Sequence, residues 1–156
     1  MAMRKLLPLV ALVLAGGLVL GPTLAGAQSD GRETFVLVST ALRVRFLDLG
    51  PRGESPGDVF VFKDAWWDES RTTRLGTSWV ECTLDFGTVA ICTATGRIDG
   101  RGLLTGTGAV DVTAERYTFP VTGGTGDFQT VSGQVQETVL DQETTVLEFR
   151  LFGVKP

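Results

Sequence analysis

The chain has 156 residues, 43% of them hydrophobic, with 20 glycines, two cysteines and no histidine or asparagine. Lys and Arg number 14 against 18 Asp and Glu, a net charge of −4. The length accommodates one sizeable core, the missing histidines exclude His-based triads, His-ligated metals and imidazole proton shuttles, and the acidic balance argues against a nucleic-acid or anionic-membrane partner.

Arg4 and Lys5 precede an almost wholly apolar run from Leu6 to Leu20, and Ala25-Gly26-Ala27 follows as an A-x-A pattern. Residues 1–27 therefore read as a secretory signal peptide. An uncleaved anchor is the alternative, disfavoured by the shortness of the run. The mature domain is expected to span residues 28–156, to be secreted, and to carry no membrane segment after cleavage. Loss of Arg4 and Lys5 moves the net charge to −6. In an exported chain, Cys82 and Cys92 are expected to pair. So short a loop gives a bridge that contributes about 2–3 kcal/mol.

After Ala27 the apolar residues lack helical spacing. Val, Thr, Phe and Leu recur in short runs broken by Gly, Pro and Asp, which is strand patterning. Eight strands are predicted: Thr34–Leu47, Asp58–Trp67, Thr77–Leu84, Val89–Thr95, Leu103–Thr113, Tyr117–Val121, Gly133–Val139 and Thr144–Phe152. The longest connection, Asp48–Gly57, holds Pro51, Gly53, Pro56 and Gly57 and reads as a mobile surface loop. The third and fourth strands form a hairpin centred on Gly87. Counting outward places Leu84 opposite Ala90, Cys82 opposite Cys92 and Glu81 opposite Thr93. Asp141-Gln142-Glu143 turns the chain between the last two strands.

Leu147, Phe149 and Leu151 share one face, with Glu148 and Arg150 on the other. Val59-Phe60-Val61-Phe62 is apolar on both faces. That fits burial inside a barrel on one side and coverage by a partner subunit, or by the N-terminal segment, on the other. The fold class is all-β: an eight-stranded antiparallel barrel, closed so that no edge is exposed. A two-sheet sandwich is the alternative. A barrel of this size is either filled by side chains or holds one small ligand.

Several segments resemble one superfamily. Gly57-Asp58-Val59-Phe60-Val61-Phe62 resembles the "GD-x-x-x-F" segment of the allene oxide cyclases. Leu75-Gly76 followed by Glu81-Cys82-Thr83 resembles their "G…C" strand. Val121-Thr122-Gly123-Gly124-Thr125-Gly126-Asp127-Phe128, then Gly133, resembles the "TGG-[AT]-G-x-F…G" segment shared by allene oxide cyclases and dirigent proteins. The resemblance implies a secreted, bacterial-type barrel with a ligand cavity, often oligomeric. In such barrels a shaped apolar lumen holds a reactive intermediate for cyclisation or coupling. Under it, Asp64 aligns with an Asn that helps hold a water on the substrate oxygen in plant cyclases, and Cys82 with their pocket Cys. The cyclases' essential Glu has no unambiguous counterpart on the first strand, so true allene oxide cyclase activity is not expected. Asp48, Arg45 and Tyr117 are candidates for the dirigent Asp/Arg/Tyr set.

The candidate catalytic residues are Glu81, Asp64 and Tyr117. Glu81 shares a face with Trp79. If that face lines the lumen, Glu81 is a desolvated carboxylate with a raised pKa; if it faces out, it is a surface charge. Asp64 and Asp48 lie at strand ends, where a cavity mouth would be. Tyr117, the single tyrosine, would donate a proton to a ligand oxygen or simply pack. Trp79, Arg45, Asp48, Phe60 and Phe62 are the candidate ligand-binding residues. No cofactor and no metal are expected. The expected partner is a small apolar or aromatic ligand, with a homo-oligomer possible. The expected function is an isomerase-like or dirigent-like barrel that guides cyclisation or coupling. The rivals are a non-catalytic carrier and a cell-envelope structural protein.

Overall fold

The computed structural model describes residues 31–155. The expected signal peptide, residues 1–27, lies outside them. Among the described residues, nine strands form one antiparallel sheet: β1 (Glu33–Leu47), β2 (Val59–Trp67), β3 (Arg74–Leu84), β4 (Val89–Ile98), β5 (Gly102–Asp111), β6 (Arg116–Val121), β7 (Gly123–Gly124), β8 (Ser132–Val139) and β9 (Thr144–Phe152). Their order is β6-β8-β9-β1-β2-β3-β4-β5-β7, and β5 lies against β6, so the sheet curls into a nearly closed barrel. All eight expected strands are present. The ninth, β7, pairs Gly123 and Gly124 with Thr105 and Leu104. Two glycines carry no alternating side-chain signal, so only the edge of β5 identifies them as a strand.

The β3–β4 hairpin has the register expected of it: Leu84 opposite Ala90, Cys82 opposite Cys92 and Glu81 opposite Thr93. Cys82 and Cys92 form a disulfide. Both are buried and face the lumen, so the bridge is a staple and a piece of the cavity wall together.

The seam between β5 and β6 explains two sequence features. Pro120 has no N–H to give to a ladder, which suits a strand at the end of the sheet order. Gly106 lies so close to the Pro120 carbonyl and the Phe119 ring that any side chain there would collide with them. Beyond the seam, the Thr122 N–H donates to the Thr105 carbonyl at 2.9 Å.

One end of the barrel is sealed by the glycine-rich segment. After β7, a single 3-10 turn, Gly126–Phe128, drops the fully buried Phe128 ring into the core beside Val131, Leu151 and Val154. Gly126 sits at φ +64°, a conformation side chains disfavour, with its α-carbon against Arg101. Arg101 lies over Phe128, 4.8 Å from its centroid. The guanidinium also bridges Glu33 (2.6 and 2.7 Å) and Asp127 (3.0 Å). These pairs are partly exposed, so they fix geometry more than they add stability.

The β1–β2 loop runs over the surface, as expected. Its centre is Asp58, which is fully buried. The Asp58 carboxylate accepts hydrogen bonds from the N–H groups of Leu49 (2.7 Å), Gly50 (3.1 Å) and Ser55 (2.7 Å), and from the Ser55 hydroxyl (3.0 Å). Burial opposes its charge, but these donors outweigh burial and hold its pKa below the usual value. The loop is therefore a hydrogen-bonded knot around one carboxylate, not an untethered span.

Candidate functional site

The opposite half of the lumen is open. It holds a cavity of about 440 Å³, within the range of small-molecule sites. Its entrance lies between the β5–β6 connection (Val112, Ala114) and the β8–β9 turn (Asp141, Gln142, Glu143). A β-bulge in β1 between Ala41 and Arg43 breaks the register beside that turn, and the Ala41 N–H donates to the Glu143 carbonyl at 2.8 Å.

Strand alternation decides which side chains enter. On β2 the inward set is Phe60, Phe62, Asp64 and Trp66; on β6 it is Tyr117, Phe119 and Val121; on β8 it is Val135, Glu137 and Val139. Each set is apolar except for one polar member, and those members meet. The Tyr117 hydroxyl donates to Glu137 Oε2 at 2.9 Å, and the Ser78 hydroxyl donates to Asp64 Oδ2 at 3.0 Å. Asp64 is close enough for its charge to act on both Tyr117 and Glu137.

The surroundings set the protonation of these groups. Burial pushes the Glu137 carboxyl up to about 7; the Tyr117 hydrogen bond opposes this and the Asp64 charge adds to it. Burial also raises Asp64, against the pull of the Ser78 hydrogen bond. Burial, then the Glu137 and Asp64 charges, raise Tyr117, which stays a protonated phenol and a hydrogen-bond donor. A carboxyl that titrates near neutrality is suited to either giving or taking a proton.

The walls are aromatic and aliphatic. Phe60 stacks on Phe62 at 6.1 Å, and Trp66 meets Phe149 edge-on at 5.8 Å. The tip of the Trp66 ring reaches Gly96, where any Cβ would run into its six-membered ring.

The structure places the expected site residues in two groups. Asp64, Tyr117, Phe60, Phe62, Cys82 and Cys92 line the cavity. Glu81, Trp79, Arg45 and Asp48 do not. Glu81 and Trp79 point outward, one residue out of phase with the inward Val80 and Cys82, and flank a shallow outer depression with Val61 and Thr93. Arg45 pairs with the outward Val61 and is exposed. Asp48 lies in the loop, exposed, and accepts from the Gly53 N–H at 3.1 Å. Glu137 was not among the expected residues. Its signal was available in Gly133-Gln134-Val135-Gln136-Glu137-Thr138-Val139, where it falls in phase with Val135 and Val139 on the apolar face. Among the described residues, no cluster of three or more His, Cys, Asp or Glu side chains is arranged to hold a metal ion.

No family model and no curated protein matches the chain. Solved structures do. A pyocyanin demethylase superposes with a TM-score of 0.70 at 22% identity, over 76% of this chain and 99% of its own. A Diels–Alderase from Streptomyces koyangensis gives 0.66 at 16% identity, over 77% of this chain and 63% of its own. A pterocarpan synthase dirigent protein gives 0.63 at 16% identity, over 80% of this chain and 96% of its own. At such identities the likeness is one of fold. The chain has the barrel fold shared by dirigent proteins and these cyclase barrels.

Proposed function

We propose that this barrel binds a small apolar or aromatic intermediate in its lumen and guides its cyclisation or coupling. The observation that carries the reading is the convergence of Asp64, Glu137 and Tyr117 inside an open and otherwise largely apolar cavity. A plain carrier needs only the apolar walls, and a structural barrel would fill the lumen with side chains. Glu137 is the proton donor or acceptor to the bound molecule, Asp64 is the second carboxyl, and Tyr117 holds Glu137 in place. Phe60 and Phe62 shape the wall against which the intermediate is folded, so the barrel contributes orientation as well as proton transfer. The neighbours whose names speak of cycloaddition and of pterocarpan synthesis are consistent with this.

The protein acts outside the cytoplasm as the mature chain 28–156. Its disulfide fits an oxidising compartment, and no helix among the described residues is long and apolar enough to cross a membrane. The outward Val61 and Trp79, the latter 41% exposed, favour association with a second copy.

Native mass spectrometry of the protein purified from its own host tests the reading. A retained small molecule that is lost from an Ala94→Trp variant, which fills the lumen, is the expected result. A chain that carries nothing, or a ligand unaffected by blocking the lumen, would overturn it.

A further inference from the structure

The cavity's charges are of one sign. Five carboxylates line it: Asp64 and Glu137 within, Asp111, Asp141 and Glu143 at the entrance. Among the described residues, no Lys or Arg lines it. Arg101, which could have balanced them, is committed to Glu33 and Asp127 at the sealed end. Arg45 faces outward. Arg71, whose charge helps hold Asp141 ionised, lies outside the lining.

The inner pair is hydrogen-bonded only by neutral hydroxyls, Tyr117 on Glu137 and Ser78 on Asp64. A desolvated carboxylate without a counter-cation is costly. The aromatic walls add the second element of a cation site, because ring faces attract a cation. Trp66 supplies an independent sign that a ligand, one with a hydrogen-bond acceptor, completes this wall. It is 5% exposed and lines the cavity, and its indole N–H is buried with no hydrogen-bond partner.

We infer that the lumen selects small aromatic cations, such as a quaternised or protonated nitrogen heteroaromatic with an oxygen that can accept from the Trp66 N–H, over neutral rings of the same shape, and excludes aromatic carboxylates. The five carboxylates draw the cation toward the mouth. Asp64 and Glu137 then serve as its counter-charge against the walls of Phe60, Phe62 and Trp66. This rests on the proposed ligand-binding role of the lumen and narrows it to a class of ligand.

Three probes of nearly equal size separate the possibilities by calorimetric titration of the full mature chain at pH 8: N-methylquinolinium, 1-methylnaphthalene and 1-naphthoate. The cation is expected to bind at least about tenfold more tightly than the neutral ring, with naphthoate undetectable. In Asp64→Asn and Glu137→Gln the ratio of cation to neutral-ring affinity is expected to fall several-fold. A circular-dichroism spectrum like that of the wild type shows that the variants are folded. Equal affinity for cation and neutral ring would overturn the charge preference and leave the apolar-ligand reading standing. Tight binding of naphthoate would overturn the charge preference outright. Binding of none of the three would overturn both.

Discussion

Under the proposed function Glu137 carries the proton transfer, and its titration has a measurable consequence for folding. Its carboxyl is raised from 4.5 to about 7, chiefly by burial, so the folded state favours the protonated form. That stabilisation is present in full below the ordinary value and is lost as pH rises through about 7. The groups that face it are Tyr117 from β6 and Asp64 from β2; among the described residues, no Lys or Arg lines the cavity to offset its charge. Asp64, also raised by burial, acts in the same direction. Asp58, Asp111 and Asp141 are lowered, so their contributions change only in more acid solution. Denaturant unfolding at pH 5 and pH 8 should therefore show the wild type losing on the order of 1 kcal/mol more than Glu137→Gln over that interval, a figure reduced for the exposure of the group to the cavity. A second residue-scale prediction concerns Asp58. In Asp58→Ala three backbone donors lose their acceptor, so hydrogen exchange at Leu49, Gly50 and Ser55 should accelerate while the barrel amides stay protected.

At the scale of elements, the hairpin and the glycine-rich plug carry separate predictions. Reducing Cys82–Cys92, or replacing both by Ser, should lower stability by about 2–3 kcal/mol in denaturant titration, with the barrel still folded. Gly124→Val should abolish folding or secretion, because its side chain would meet the Leu103 carbonyl and the Phe128 side chain. Normal secretion of that variant would show that the segment does not form the seal. The legibility of these elements in the sequence was uneven, for physical reasons. The β3–β4 register was readable because Gly87 fixed the turn and both cysteines fell on one count from it. Phe60, Phe62, Asp64 and Tyr117 all line the cavity, but the two-sided apolar run Val59–Phe62 does not by itself say which of its faces turns inward. Glu81 and Glu137 show where reading faltered. Each lies in a strand of alternating pattern, but the face that points inward is set by the closed barrel. For β3 the inward face is marked by Cys82 and Leu84, and for β8 by Val135. Taking those buried neighbours as the phase reference would have exchanged the two glutamates' roles. The knot at Asp58 left no periodic trace, since it depends on backbone N–H groups brought together only by the folded loop.

At the scale of the whole molecule, the chain is a barrel sealed at one end by Phe128 and open at the other onto an acidic rim. Export predicts a mature chain that begins at Gln28, which intact-mass measurement of the secreted protein checks; a mass retaining residues 1–27 would contradict it. The central claim is that ligand enters the lumen and not the outer depression beside Trp79. The three tryptophans report on this independently: Trp66 lines the cavity, Trp67 donates its indole N–H to the Thr40 hydroxyl at 2.9 Å, and Trp79 faces outward. In a nitrogen–proton NMR spectrum, titration with N-methylquinolinium should shift the Trp66 indole signal and leave that of Trp79 in place. A shift at Trp79 with Trp66 unmoved would contradict the account.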